Sequence, residues 1–192
     1  MTYIKTGLLK IIKLIFNKRK GLQHNMSTFR EIACNDLNRN VFKSIGKGWM
    51  LITAGNAEAY NTMTASWGGL GCIWNKNVAF CFIRPQRYTF QFTENNEYFS
   101  LAFFDESYKK QLGFCGSETG REVNKAEKCG FTPCFDEAAP YFEQANTVII
   151  CKKMYTQTID PNGFKDESIK DFYKEEDYHI AYIGEIVKIL QK

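Results

Sequence analysis

WMLITAGNAEAYNTMTASWGGLGCIWNKNVAFCFI, residues 49–83, contains three strand patterns from which the fold class of this chain is predicted. Residues 49–54 form an apolar run that predicts a β-strand ending at Gly55. Residues 62–67 are rich in threonine and small side chains and predict a second strand, after which the chain is expected to bend at Gly68, Gly69 and Gly71. Residues 78–83 are continuously apolar, which predicts a strand buried on both faces.

The rest of the sequence alternates short strands with a few short helices. We expect helices at residues 88–93, 106–114 and 124–129. We expect strands at residues 98–103, 147–151, 154–159 and 179–190. Many short strands with few helices favour a β-rich barrel over a parallel sheet with crossover helices. No glycine-rich nucleotide-binding motif follows a strand, so the common nucleotide-binding folds are absent by motif.

The composition is that of one globular domain. Of the 192 residues, 44% are hydrophobic and 24% are charged, which argues against disorder. Aromatic residues reach 15%, which suggests β-rich packing or a flat ligand. No apolar run approaches the ~20 residues that a membrane span needs.

The basic charge of the chain belongs to its first 25 residues. The net charge is +4, but six cations and no acidic residue precede Met26, which leaves 19 basic and 21 acidic residues in the remainder. A body with a net charge of −2 gives no general case for nucleic-acid binding. We therefore divide the chain into a basic amphipathic leader, residues 1–25, and one domain, residues 26–192. Three explanations of the leader stay open: a start codon placed too early, a packing or surface helix, and a targeting role.

The seven cysteines are scattered and contain no C-x-x-C pair, which argues against a disulfide framework and a zinc ribbon. Two of them, Cys81 and Cys151, lie in or beside apolar runs, where a free cysteine behaves as a small hydrophobe. This pattern favours a reducing, cytoplasmic compartment. Cys115 lacks an evident resolving partner, although Cys129 and Cys134 lie close to it in sequence.

Two polar clusters flank the predicted strand at residues 78–83. Residues 61–67 place hydroxyl and amide side chains along a strand with a glycine exit, and residues 84–89 place two arginines at a strand-to-helix junction. Guanidinium groups, hydroxyls and a helix N-terminus together suit a phosphate. From the residues alone, an ordinary strand surface and arginines held in ion pairs remain the alternative.

Two more candidates follow. Residues 115–125 form a polar glycine-bearing loop that leads into a lysine-bearing helix, with a solvated loop as the alternative. His179 begins the last predicted strand, where a packed or edge histidine is the alternative. Because the chain has only two histidines, we expect no zinc or haem site, and no metal. No G-x-S-x-G elbow supports a serine hydrolase.

Four motifs in order resemble the flavin reductase-like FMN-binding proteins, particularly the flavoredoxin branch. They are N-T-M-T-A-S-W-G-G from Asn61, R-P-x-R-Y-T from Arg84, S-x-T-G-R-E-V-x-K from Ser117 and H-x-x-x-x-G-E-I from His179. The resemblance runs from about residue 40 to residue 192. It implies a split β-barrel, usually a homodimer, that holds FMN non-covalently near the subunit interface.

The resemblance also assigns roles to residues. The strand at residues 61–67 would lie against the isoalloxazine edge, through Asn61, Thr62, Met63, Thr64, Ala65, Ser66 and Trp67. The phosphate or ribityl chain would be surrounded by Arg84, Arg87, Tyr88 and Thr89. Ser117 and Lys125 would close the site, and His179 would lie near the flavin or the nicotinamide as the candidate catalytic residue. The loop departs from the family's more common S-G-R-D-x-D-K-F at Asn124 and Ala126.

The function implied by the resemblance is an FMN-binding oxidoreductase. It would accept hydride from NAD(P)H and pass electrons to free flavin, ferric complexes or a redox partner protein. The alternative is an FMN electron carrier of the flavoredoxin type that does not oxidise nicotinamide. A third possibility is a barrel of the pyridoxamine-phosphate-oxidase kind with a different ligand, or none.

Overall fold

The structure is a computed structural model, and it describes residues 29–192. The predicted leader, residues 1–25, and the alternative start at Met26 lie outside these described residues.

Ten strands and three α-helices make up the described part of the chain. The strands are β1 (Arg30–Ile32), β2 (Met50–Gly55), β3 (Tyr60–Ala65), β4 (Gly68–Ile73), β5 (Lys76–Ile83), β6 (Tyr98–Phe103), β7 (Pro133–Cys134), β8 (Tyr141–Phe142), β9 (Thr147–Thr158) and β10 (Ile180–Gln191). The helices are α1 (Tyr88–Asn95), α2 (Lys109–Ser117) and α3 (Lys125–Cys129). A π-helix (Lys43–Gly48) precedes β2, and short 3-10 helices lie at Cys34–Asp36, Glu106–Tyr108, Pro161–Gly163 and Glu167–Phe172.

Eight of these strands form one antiparallel sheet in the order β3-β2-β6-β9-β10-β5-β4, with β1 also paired to β10. Strands β7 and β8 form a separate hairpin. Strands β3 and β4 are the two ends of this order, although only two residues separate them in sequence. Buried side chains of β3 and β5 meet in one core, so the sheet curls into a barrel that hydrogen bonds do not close between β3 and β4. The predicted β-rich barrel is confirmed.

Two apolar clusters sandwich the strands at the centre of the sheet. Met50, Ile52 and Ala54 of β2 point into the barrel interior, while Leu51 joins an outer cluster with the helices α2 and α3 and the β7–β8 hairpin. Every residue of β2 is buried, because one of its faces meets the interior and the other meets this outer layer. The outer layer is what brings α2 and α3 against the back of β3.

The sequence expectations differ from the structure at four places. The glycines expected to bend the chain form strand β4, which lies so close to β5 that a Cβ on Gly68 would stand 2.5 Å from the Phe80 carbonyl oxygen. Strand β5 is not buried on both faces, since Phe80 and Phe82 remain half-buried. The two strands expected at 147–151 and 154–159 are the single strand β9. The helix expected at 106–114 is a 3-10 turn that runs into α2.

None of the helices within residues 29–192 combines the length and the apolar character needed to cross a membrane.

Candidate functional site

The open side of the barrel carries two cavities that share Arg87 as a common wall. We call them the Trp67 cavity, about 210 Å³, and the Lys125 cavity, about 190 Å³. The Trp67 cavity is lined by Met63, Thr64, Ala65, Ser66, Trp67, Phe82, Arg84, Arg87 and His179. The Lys125 cavity is lined by Gln86, Arg87, Tyr88, Thr89, Ser117, Glu118, Thr119 and Lys125. The cavities therefore bring together twelve of the fourteen residues that the sequence singled out.

The other two residues, Asn61 and Thr62, line a third depression of about 360 Å³ on the far side of Lys125. Asn61 is buried, and its amide nitrogen donates a hydrogen bond of 2.8 Å to the hydroxyl of Thr89 on α1. Gly120 lies directly over Asn61, because a Cβ there would stand 1.9 Å from the amide oxygen. Asn61 thus ties the first turn of α1 to strand β3, and the loop at Gly120 packs closely against its amide group.

The hydroxyls of strand β3 are already used within the protein. The Thr62 hydroxyl lies 2.9 Å from the hydroxyl of Thr53 on β2, and the Thr64 hydroxyl donates to the Leu112 carbonyl of α2 at 2.5 Å. Side chains of a strand alternate between faces, so both threonines point away from the barrel interior and toward the outer layer. What β3 and the residue after it offer a ligand is therefore mainly the backbone from Met63 to Ser66.

His179, immediately before β10, stands at the mouth of the Trp67 cavity. Its ring centroid is 4.9 Å from that of Trp67, and its Nδ1 is 3.0 Å from the Tyr173 hydroxyl. Burial, with the nearby charges of Arg84 and Arg87, lowers the pKa of His179 to about 4, although Asp177 opposes the shift. The His179 imidazole is therefore neutral near neutral pH. It is not present as an imidazolium that could act as a general acid.

Residues 160–178, which connect β9 to β10, form a cap over this mouth. The cap carries seven acidic residues and three lysines. Its Phe172 packs edge-on against Trp67, with ring centroids 5.5 Å apart. Its Asp177 accepts hydrogen bonds from Arg84 and Gln86. The cap is thus tied to both sides of the Trp67 cavity.

The two predicted phosphate arginines have different surroundings. Arg84 forms an ion pair with Asp177 and donates to the Phe172 carbonyl at 2.7 Å, so its guanidinium holds the cap. Arg87 donates to the Gly116 carbonyl at 2.7 Å and has no carboxylate partner within the described residues. Burial and the charge of Arg84 lower the pKa of Arg87, which remains a cation at neutral pH. Of the two, Arg87 is the one left to face an anion.

Lys125 is the buried cation of the second cavity, with only 5% of its surface exposed. Its ammonium donates to the Thr62 carbonyl at 2.9 Å and to the Cys115 carbonyl at 2.8 Å. Burial lowers the pKa of Lys125 to about 8. An ammonium has three N–H donors, and within the described part of the chain two of them have partners, which leaves one for a ligand.

The N-terminus of α1 completes the Lys125 cavity. Arg87 is the N-cap residue, and no side chain caps the first turn. The free N–H groups of Tyr88 and Thr89, with the helix dipole, favour an anion at this point. Ser117 is exposed at the opposite wall, where its hydroxyl contacts the Phe114 carbonyl at 3.4 Å and the Glu118 carboxylate at 3.3 Å.

Several residues of the site were missed from the sequence. Phe82 lies in the run 78–83, which was predicted to be buried on both faces. In the structure it is half-buried, because the face of β5 that carries Phe80 and Phe82 is only partly covered. Gln86, Glu118 and Thr119 lie between predicted positions, so proximity in sequence could have included them. Asp177 is 93 positions from its partner Arg84, and no local signal connects the two.

Comparison with known proteins relates the fold and the site to a single family. Residues 42–192 match the family model described as "Flavin reductase like domain". No curated protein sequence matches the chain.

Solved structures of the same fold include flavoredoxin from Methanosarcina acetivorans, with a TM-score of 0.61 and 19% identity over 76% of this chain and 68% of that one. An FMN-binding domain of a flavin reductases-like enzyme from Shewanella baltica has a TM-score of 0.61 and 14% identity over 88% of this chain and 79% of that one. An NADH:FAD oxidoreductase from Streptomyces globisporus has a TM-score of 0.57 and 12% identity over 76% of this chain and 74% of that one.

The family model covers most of the described chain, and the structural neighbours include split-barrel FMN-binding proteins and flavoredoxins. The barrel left open between β3 and β4 is therefore the split β-barrel that the motifs predict. This chain belongs to the flavin reductase-like domain family.

Proposed function

We propose that this protein binds FMN non-covalently across the two cavities and is an NAD(P)H-dependent flavin reductase. The observation that carries the proposal is the pair of cations, Lys125 and Arg87, that face an uncapped helix N-terminus in one small cavity. The family supports a flavin redox role, and the choice of nicotinamide as electron donor is our proposal.

The Lys125 cavity fits a phosphate group. The unpaired N–H of Lys125, the guanidinium of Arg87 and the first N–H groups of α1 are all donors, and a phosphate is acceptor-only at its ionised oxygens. A dianion there would also relieve the cost of burying the Lys125 charge. We therefore assign the FMN phosphate to Lys125 and Arg87, and assign Arg84 to holding the cap.

The Trp67 cavity fits a flat ring. The backbone of residues 63–66 gives one polar edge, Phe82 gives an apolar wall, and Trp67 and His179 give aromatic faces. Bound FMN would supply hydride acceptance from NADH or NADPH and electron delivery to an acceptor. The chain's part is to orient the ring and to exclude water. His179, being neutral, would serve as a packing and hydrogen-bonding group beside the ring.

A visible-range titration with FMN, followed by anaerobic addition of NADH and of NADPH, tests the proposal. We expect perturbed flavin bands on binding, and bleaching within the mixing time with at least one of the two nicotinamides. Protein that leaves the free-FMN spectrum unchanged would refute cofactor binding. Bound flavin that neither nicotinamide bleaches would refute the reductase activity alone.

A second candidate is an electron carrier that receives electrons from a protein and not from nicotinamide. The cap favours it, because Phe172 and Tyr173 already pack against Trp67 and His179 at the mouth of the cavity. This leaves less room for a second planar ring. Bleaching by a reduced ferredoxin-type donor, without bleaching by either nicotinamide, would support the carrier.

We also propose a homodimer. Exposed apolar side chains lie together on the outer face of the sheet, where Trp74 at the β4–β5 turn meets Tyr155 of β9, with ring centroids 6.2 Å apart. Both are exposed, by 52% and 43% respectively, and such patches mark interaction surfaces. Light scattering on the full chain should give twice the 22.2 kDa mass, and a monomer would refute the proposal.

A further inference from the structure

Two free thiols lie side by side behind the Lys125 cavity. The Sγ atoms of Cys115, near the end of α2, and Cys129, at the end of α3, are 3.7 Å apart although the residues are fourteen positions apart in sequence. Two sulfur atoms at this distance are in van der Waals contact, and a disulfide needs them to close to about 2.05 Å. The two sulfurs would therefore have to approach each other by a little more than 1.5 Å to form the bond.

The two thiols differ in access. Cys115 is completely buried in the outer apolar cluster, whereas Cys129 is partly exposed and its Sγ contacts the Gln111 carbonyl at 3.6 Å. A reagent in solution therefore meets Cys129 first. Cys115 then stands behind it as the second thiol of the pair.

The two cysteines also flank a segment that lines the Lys125 cavity. Residues 116–128 lie between the two cysteines and include Ser117 and Lys125. The Lys125 ammonium donates to the backbone carbonyl of Cys115, so the thiol pair and the buried cation share one junction between α2 and α3. A bond between the sulfurs would fix that junction.

We propose that Cys115 and Cys129 are an oxidative modification site, which forms a reversible disulfide when the protein meets a peroxide. The Cys129 thiolate attacks one peroxide oxygen, an S–O bond forms, the O–O bond breaks, and the departing hydroxide takes up a proton to leave as water. The Cys115 sulfur then attacks the Cys129 sulfur, the S–S bond forms, and the hydroxyl leaves as a second water with the Cys115 proton. Two thiols are oxidised by two electrons and one peroxide is reduced to two waters.

The surroundings of the pair set the speed of this reaction. Burial raises the pKa of Cys115 to about 12 and also raises that of Cys129, while the Lys125 ammonium on α3 works in the opposite direction on both. Because the thiolate is the nucleophile, oxidation should be slow near neutral pH and should quicken by up to about tenfold per pH unit above it.

The test uses the full chain without flavin, so that its outcome does not depend on cofactor binding. After hydrogen peroxide treatment and alkylation, we expect the free thiols to fall from seven to five, and to return to seven after a dithiol reductant. Trypsin should release residues 111–121 joined to residues 129–152, and chymotrypsin should then cut after Phe131 to separate Cys129 from the other cysteines of that peptide. A linkage mapped to Cys134 or Cys151, or seven thiols that persist, would overturn the proposal.

Variants provide a second measurement. Cys129→Ser should abolish the loss of thiols, whereas Cys134→Ser, a matched change at another partly buried cysteine, should leave it intact. If Cys129→Ser does not fold, the peptide map of the wild-type protein decides the matter. Loss of two thiols in a folded Cys129→Ser protein would refute the assignment.

The effect on the cofactor rests on the proposed function. A disulfide that fixes the α2–α3 junction should hold Lys125 in place and tighten FMN binding by about threefold or more. By reciprocity, bound FMN should shift the equilibrium between the dithiol and the disulfide toward the disulfide by the same factor. A disulfide that forms while the FMN dissociation constant stays the same would refute this coupling and leave the modification site standing. Failure of FMN to bind either form would count against the proposed function alone.

Discussion

Replacing Lys125 with methionine should separate ligand binding from stability. Lys125→Met keeps the length and most of the volume of the side chain but removes its charge and its three donors. The charge is buried, with 5% of the residue exposed, and within residues 29–192 its hydrogen-bond partners are two backbone carbonyls. We therefore expect the variant to lose cofactor affinity while the folded protein without cofactor keeps its stability.

The magnitudes follow from the environment of the ammonium. A pKa lowered from 10.5 to about 8 corresponds to a cost of about 3 kcal/mol for keeping the charge in the folded protein. Losing two hydrogen bonds to carbonyls costs roughly the same, at about 1.5 kcal/mol each. The free energy of unfolding at neutral pH should thus change by no more than about 1 kcal/mol. One charged hydrogen bond to phosphate, about 1.5–3 kcal/mol, corresponds to a ten- to hundredfold weaker FMN affinity.

The pH dependence of stability tests the lowered pKa of Lys125 independently of FMN binding. Because the folded protein releases the Lys125 proton near pH 8 and the unfolded chain near 10.5, wild-type stability gains from this residue as the pH rises between these values. Lys125→Met should lack that gain, so its stability relative to the wild type should fall as the pH rises.

Urea unfolding at several pH values and fluorescence titration of FMN measure the two quantities. Lys128→Met, on an exposed position of the same helix, is the matched control and should leave both unchanged. FMN affinity of Lys125→Met within twofold of the wild type would refute the assignment of Lys125 to the phosphate. A loss of more than about 3 kcal/mol in stability would refute the reasoning on its buried charge.

Three further predictions concern the other walls of the site. Gly120→Ala should lower both the melting temperature and the FMN affinity, because its Cβ would stand 1.9 Å from the Asn61 amide oxygen. His179 should stay neutral in NMR titration down to about pH 5, and because its pKa is lowered in the folded state, stability should fall as the pH drops from 6.5 toward 4. Arg87→Ala should weaken FMN binding about tenfold or more, whereas Arg84→Ala should weaken it less and instead speed proteolysis within residues 160–178.

Each of these has its own control. Gly113→Ala, in the middle of α2 with nothing within 4 Å of the added carbon, should raise stability by about 0.5–1 kcal/mol. A His179→Gln variant should lose the pH-dependent fall in stability below pH 6.5, and a fall that persists unchanged would assign it to other groups. If Arg84→Ala weakens FMN binding more than Arg87→Ala does, the division of roles between the arginines is wrong.

Sequence patterns predicted the fold where side chains alone determine the strand. The apolar runs of β2, β5 and β6 were found because their side chains fill the core. Strand β4 was missed because its glycines carry no side chains and so give no alternating strand pattern. The need for glycine becomes clear only from the close approach of Phe80 on the neighbouring strand. The continuity of β9 was missed because Lys152 and Lys153 interrupt its apolar run, although its pairing with β10 continues to Thr158.

The candidate site was predicted as a set of residues but not as an arrangement. The motifs named the residues that line both cavities, since each cluster lies at a strand end or a helix start. They could not assign partners, because Arg84 meets Asp177 and Lys125 meets Thr62 across long stretches of chain. Whether a hydroxyl or a guanidinium is free for a ligand depends on such distant contacts, which local spacing does not encode.

The position of β10 in the sheet has a consequence for biosynthesis. This strand follows every other described strand in the sequence, yet it pairs with three of them, β1, β5 and β9. Until β10 has left the ribosome, the nascent chain must carry the apolar edges of β5 and β9 unpaired, which is the situation in which sheets associate wrongly. The sheet therefore cannot be completed before β10 is available. A chaperone that shields those two edges during translation would raise the yield of folded protein more than one that acts afterwards.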